Sequence, residues 1–188
     1  MNLSLKNLIL VGVMADIAIL IVSYVLHPTM GETFRHAARY SGRLSALIFL
    51  ATFYLYATGS PRPIKENTPL RNFLTLFAIL HIIHFGFLAT NVYVNAIPLE
   101  PPKLAGGMLA YLMIVLAPFR LHKLKLPLQL VYFYYVSLVM VITYLARIKG
   151  DFEGAEPYWL HYVAMGTLIG CAGVFGWMIF RSRRQMLS

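Results

Sequence analysis

Six long apolar runs constrain the fold of this chain more than any other feature of its sequence. The hydrocarbon core of a bilayer is about 30 Å thick, and about 20 helical residues cross it. Only 12% of the 188 residues are charged, whereas soluble domains carry about 25%. The sequence therefore predicts an integral membrane protein in contact with the lipid bilayer.

The apolar runs favour helices over strands, because lipid cannot satisfy the open edge of a sheet. They also lack the alternation of apolar and polar residues that is typical of a half-buried strand. We therefore expect an all-α fold in a single domain, a bundle of six transmembrane helices. The predicted spans cover residues 8–26, 43–58, 73–94, 105–119, 128–146 and 158–180.

Basic residues predict the orientation of the bundle, because they gather at the cytoplasmic ends of spans. Three arginines follow the sixth span and predict a cytoplasmic C-terminus, and six spans place the N-terminus there too. The net charge of +9 therefore does not indicate a nucleic-acid partner. Arg35, Arg39 and Arg43 are an exception, since they fall in the first outer loop. Either a bound anion or a short amphipathic segment at the lipid headgroups explains them.

Histidines are the main candidates for chemistry within the membrane, where polar groups are rare and functional. His81 and His84 are three residues apart in the third span, so they share one helix face. Each imidazole needs a partner, which is either iron or a hydroxyl or carbonyl of a neighbouring helix. His27 and His161 lie near the outer side. Asp16, in the first span, is expected to be a neutral acid hydrogen-bonded to a neighbouring helix rather than a proton relay.

Two motifs between residues 37 and 89 suggest a family. Gly42, Ser45 and Ala46 belong to a small-residue-rich span that opens with glycine, and His84 follows Arg71 by thirteen residues. These motifs resemble the ferric reductase-like transmembrane domain, a family that includes the haem-binding membrane subunit of the bacterial methionine sulfoxide reductase system. The resemblance implies a six-helix bundle that holds haem b between its third and fifth spans and transfers electrons.

The chain departs from that family in the fifth span, where neither expected histidine position carries a histidine. The usual pair of axial ligands therefore cannot form. Haem on His84 then needs His161 or His27 as its second ligand, or it remains five-coordinate. His81 is a further candidate near the cofactor, but it shares a helix face with His84, so the two cannot both be axial ligands of one iron. His84 and His161 are the predicted iron ligands. A third reading is a relative that has lost haem.

The arginines of the first outer loop fit this picture, since haem propionates suit Arg35, Arg39 or Arg43. The function expected from the resemblance is an electron-transfer subunit rather than a self-contained enzyme. Its partners would be separate donor and acceptor proteins or a quinol, within a larger membrane complex, in the bacterial cytoplasmic membrane. The alternative is a cofactor-free accessory or assembly subunit, or a small transporter.

Overall fold

The computed structural model describes residues 4–59, 63–99, 101–151 and 158–187. This part of the chain is all-helical and contains no strand. Its six α-helices are α1 (Leu5–Leu26), α2 (Met30–Gly59), α3 (Thr68–Val94), α4 (Pro101–Arg120), α5 (Leu126–Lys149) and α6 (Trp159–Leu187). Short 3₁₀ turns precede α3 at Ile64–Glu66 and α5 at Leu121–Lys123.

Local sequence signals set several helix ends. The hydroxyl of Ser4 accepts a hydrogen bond from the Asn7 N–H and begins α1. The side chain of Asn67 does the same for α3, accepting from the Leu70 N–H at 3.1 Å. Such caps satisfy backbone donors that have no partner within the helix. Gly150 ends α5 with φ at 75°, a left-handed conformation that glycine adopts without a steric penalty.

The structure corrects the expectation of a basic outer loop between the first two spans. Helix α2 already begins at Met30, thirteen residues before the predicted second span. Arg35, Arg39 and Arg43 therefore lie on a helix, four residues apart, and form one stripe along it. The polar first turns of α2 are stable because their other face is packed, with Ala37, Ala38 and Ser41 buried.

Within the described ranges, five helical segments are long and apolar enough to cross a membrane: Leu5–Leu26, Thr68–Val94, Leu104–Lys123, Leu126–Lys149 and Trp159–Gln185. Large apolar side chains on these helices point away from the bundle, for example Val11, Leu112 and Val174. This arrangement indicates an integral multi-pass membrane protein whose apolar surface meets lipid.

Helix α2 is not among the five, and its position explains its composition. It contacts α1, α3 and α6, and more of its residues are buried than in any other described helix. A helix that is surrounded by protein does not need apolar side chains on every face. Low hydropathy therefore does not prevent α2 from running the length of the bundle.

Contacts between neighbouring helices close a ring in the order α2, α3, α4, α5 and α6, with α1 packed outside it against α2 and α3. Helices α2, α4 and α6 end on the side predicted to be cytoplasmic, here called the predicted inner end. Aromatic rings fill that half of the ring. Phe53 stacks on Phe133 with centroids 4.7 Å apart, and Phe175 meets Phe53 edge-on at 5.2 Å.

Candidate functional site

The two histidines of α3 are both hydrogen-bonded to serines of α2. His84 Nδ1 lies 3.0 Å from the Ser41 hydroxyl oxygen, and His81 Nδ1 lies 2.7 Å from that of Ser45. The serines are four residues apart and the histidines three, so each pair lies along one face of its helix. Because the helices are antiparallel, these two faces meet and the side chains pair one to one.

A glycine lets the His84 ring approach α2 closely. A Cβ atom at Gly42 would lie 2.9 Å from His84 Cε1 and 3.4 Å from His84 Nε2. Any side chain at position 42 would therefore displace the imidazole. The backbone of Ala38 also lies close to the same ring. Helix α2 thus provides a fitted recess for His84, formed by Ala38, Ser41 and Gly42.

His81 is packed on its remaining sides by aromatic rings. Its ring centroid lies 4.4 Å from that of Tyr111 on α4 and 5.2 Å from that of Phe77. The His84 ring lies 5.5 Å away, one turn further toward the predicted outer end. The environment of the His81 ring is therefore largely aromatic.

An arginine of α5 lies near His84 and connects it to two arginines of α2. Arg147, near the end of α5, lies within electrostatic range of His84 and also of Arg39 and Arg43. Like charges at short range repel, more strongly where water is scarce. This arginine cluster, formed by Arg39, Arg43 and Arg147, therefore creates a strongly positive region beside the histidine.

Glu32 is the acidic residue closest in sequence to the arginines of α2, and it is paired with other residues in the first turns of that helix. Glu32 forms an ion pair with Arg35 and lies 3.7 Å from the imidazole of His36. Arg35 thus belongs to the outermost turn, while Arg39 and Arg43 lie within electrostatic range of Arg147. The arginine cluster is well suited to bind an anion.

His161 joins this region from the start of α6. Its side chain is only 6% exposed, and its Nδ1 atom has no hydrogen-bond partner among the described residues. Arg147 and Arg43 lie within electrostatic range of the imidazole, and the Tyr144 ring is 6.2 Å away. A buried ring nitrogen without a partner is uncommon in a folded protein, so His161 retains a nitrogen that a ligand can use.

His27 is not part of the same group. Its ring stacks on that of His36, with centroids 3.7 Å apart and planes 7° from parallel. The hydroxyl of Thr33 donates to the His27 carbonyl at 2.6 Å. Of the sequence-predicted candidates, the structure therefore brings His84, Arg39 and Arg43 to one region, with His161 beside it and His27 apart.

Two buried polar groups of α1 lie outside this site. Asp16 is 1% exposed, and neither carboxyl oxygen has a partner among the described residues, so the hydrogen bond expected from the sequence is not found there. The hydroxyl of Ser23 is similarly buried without a described partner. Among described residues, no group of three or more His, Cys, Asp or Glu side chains converges as a metal site.

Reasoning from the sequence missed Arg147 and Ser41. Arg147 ends an apolar span, where a basic residue normally indicates only the membrane surface. A stronger signal was available in α2, because Ser41 and Ser45 repeat at helical spacing opposite the His81 and His84 spacing. That match becomes visible only once α2 and α3 are known to be antiparallel neighbours.

No family model, curated protein or solved structure matches the chain. The ferric reductase-like resemblance therefore stays a prediction. Function is inferred below from the geometry of the site itself.

Proposed function

We propose that the chain is a membrane b-type cytochrome-like electron-transfer protein or subunit, with haem held on His84 in the predicted outer half of the bundle. The observation that carries the proposal is the arginine cluster next to a histidine that α2 holds in a fitted recess. An iron ligand and partners for an anionic cofactor thus lie side by side.

The surroundings of His84 suit an axial ligand. Histidines that bind metals usually hold their second ring nitrogen in a hydrogen bond, which fixes the orientation of the ring. Ser41 meets that requirement at Nδ1 and leaves Nε2 as the candidate ligand atom. Haem, when bound, supplies reversible one-electron transfer.

The arginine cluster suits the propionates of haem. Guanidinium groups form strong, often bidentate hydrogen bonds with carboxylates. Arg39, Arg43 and Arg147 would hold the propionates, and an anion there would offset the mutual repulsion of the three arginines. His161, with its unpartnered ring nitrogen, is the candidate second ligand.

The rest of the proposal follows the charge pattern and the resemblance. The protein crosses the bacterial cytoplasmic membrane six times, with both termini in the cytoplasm. The spans are the five apolar helices and α2, which is the most enclosed of the six. Electrons arrive from and leave to separate proteins or a quinol, within a larger membrane complex.

Haem titration of the detergent-purified protein tests the proposal, with Arg147→Gln as the informative variant. We expect the Soret absorbance to saturate at one haem per chain. Loss of a charged hydrogen bond of about 1.5–3 kcal/mol should weaken haem binding at least about tenfold in Arg147→Gln. Arg184→Gln, which changes an arginine stacked on Phe180 at the other end, should bind haem like the wild type. A titration without saturation contradicts the proposal.

One observation favours the alternative, a cofactor-free accessory or assembly subunit or a small transporter. Both Nδ1 atoms of the histidine pair are satisfied by serines, as expected of interhelical hydrogen bonds with no cofactor. In that case haem would not saturate, and the histidine pair would act only to join α2 to α3.

A further inference from the structure

A second polar site lies at the predicted inner end of the bundle, away from His84. It is a cavity of about 190 Å³ between the end of α2, the start of α3, the start of α5 and the end of α6. The polar side chains that line it are those of Tyr56, Asn67, His122, Gln129 and Arg183.

Three of these side chains already use donors in the protein. The Tyr56 hydroxyl donates to Gln129 Oε1 at 2.8 Å, and Gln129 Nε2 donates to the carbonyls of Leu121 and Leu124. The Asn67 side-chain nitrogen donates to the Leu55 carbonyl at 3.5 Å, and its oxygen accepts from the Leu70 N–H, which caps α3. These bonds hold the wall of the cavity in place.

Arg183 is different, because its Nε–H is buried and has no partner among the described residues. A guanidinium group can only donate, and a buried donor left without an acceptor is costly. Arg183 also lies within electrostatic range of Tyr56 in the cavity wall. This unpaired donor places a positive group with free hydrogen-bonding capacity in the cavity wall.

The surroundings of the cavity are also positive. Lys65, Arg71 and Lys123 lie within electrostatic range of His122 in the cavity wall. Helices α3 and α5 both begin at the cavity, and the N-terminus of a helix carries partial positive charge that attracts anions. His122 is half-buried there.

We propose that this cavity binds a phosphate group, presented by an anionic lipid headgroup or as free phosphate, with Arg183 as its principal partner. The cavity volume of about 190 Å³ leaves room for several water molecules. That space suits a single phosphate or headgroup and lies below the 300–1,000 Å³ that is usual for larger ligands. Basic pockets between helices at the cytoplasmic surface are known to select anionic headgroups.

Two binding measurements distinguish the sources of phosphate. In the first, inorganic phosphate is titrated calorimetrically into detergent-purified protein. In the second, protein from vesicles of phosphatidylcholine and phosphatidylglycerol in equal parts is analysed by native mass spectrometry for retained lipid. Saturable phosphate binding supports free phosphate, and preferential retention of phosphatidylglycerol supports the lipid headgroup.

The variants assign the binding to Arg183. Arg183→Gln should lower the affinity or the selective retention by roughly tenfold, and Arg184→Gln, on the same turn but exposed, should leave both unchanged. Arg183→Lys keeps the charge and lacks the Nε–H, so it should bind several-fold more weakly and serves if the glutamine variant fails to fold. Wild-type binding in either Arg183 variant, or no binding by the wild type to either probe, would overturn the proposal.

Discussion

At the scale of single residues, the α2–α3 interface depends on polar pairs in an otherwise apolar bundle. Ser41 and Ser45 each engage one imidazole, and Gly42 leaves room for the His84 ring. Hydrophobic burial contributes little to helix association inside lipid, because the tails are as apolar as the side chains. These polar contacts therefore carry much of the specificity of the interface.

Ser45→Ala tests the contribution of one such pair. The variant removes the partner of His81 Nδ1 and leaves a ring nitrogen unsatisfied, which costs about 1–3 kcal/mol. We expect a lower midpoint of thermal unfolding in detergent. Thr58→Ala is the control, since Thr58 is exposed and its hydroxyl donates only to the Tyr54 carbonyl of its own helix. Equal shifts in the two variants would argue against the interhelical bond.

His36 lies at the predicted outer end, in the polar turns before the apolar run of α2. We expect its titration to make the stability of the protein depend on pH. Burial lowers the pKa of His36, with His27, Arg39 and Arg35 adding to the effect and Glu32 opposing it. A folded-state pKa below the ordinary value of about 6.5 means that the unfolded chain binds the proton more readily. Stability should therefore be intact above pH 6.5 and fall as the pH decreases through that value.

Thermal unfolding of the wild type and of His36→Gln between pH 7.5 and pH 5.5 measures this effect. The wild type should lose more stability over the interval than the variant, which cannot titrate at that position. Parallel pH profiles would show that His36 is not responsible.

The sequence allowed part of the candidate site to be predicted. His81 and His84 stand out because imidazoles are rare in apolar spans, and their shared face follows from helical spacing alone. Arg147 could not be assigned, since its proximity to Arg39 and Arg43 depends on how α5 packs within the ring. The proposed phosphate-binding role of Arg183 could not be predicted either. Arg183 lies within an arginine-rich stretch, which predicts only the orientation of the bundle in the membrane.

At the scale of helices, α5 and α6 meet through a tyrosine placed over a glycine. The Tyr134 hydroxyl donates to the Ala172 carbonyl at 3.1 Å. A Cβ atom at Gly176 would fall well inside van der Waals contact with the same hydroxyl oxygen. The close approach of the two helices therefore requires glycine at this position.

Gly176→Ala should displace the Tyr134 hydroxyl and lower the unfolding free energy by about 1–2 kcal/mol relative to Gly173→Ala. Gly173 is the matched control, because a Cβ there meets nothing within 4 Å and both variants gain the same helix propensity. Chemical unfolding in detergent measures the difference. If Gly173→Ala proves as destabilising as Gly176→Ala, the contact is not the cause.

Helix α2 shows where prediction of the fold from sequence succeeded and where it did not. The apolar run from Leu44 predicted the inner part of α2, since lipid-compatible length and composition are visible in the sequence. The first turns of α2 were expected to be a loop, because their charges are incompatible with lipid. They are helical because neighbouring helices, rather than lipid, cover Ala37, Ala38 and Ser41, and such coverage is a property of the whole bundle.

At the scale of the whole molecule, the ring of helices divides into two halves of different chemistry. The predicted inner half is closed by stacked aromatic rings around Phe133. The predicted outer half contains His84, the arginine cluster and His161. A cofactor within the bundle is therefore expected only in the outer half, where ligand and counter-charges coincide.

The most direct test of haem binding on His84 is the dithionite-reduced minus oxidised absorption spectrum of protein purified from cells supplied with haem. The wild type should show a Soret band and sharp reduced α and β bands. His84→Ala should lose them or alter them strongly, while His122→Ala, at the opposite end of the bundle, should match the wild type. A flat visible spectrum of the wild type, or haem bands unchanged in His84→Ala, would contradict the proposal.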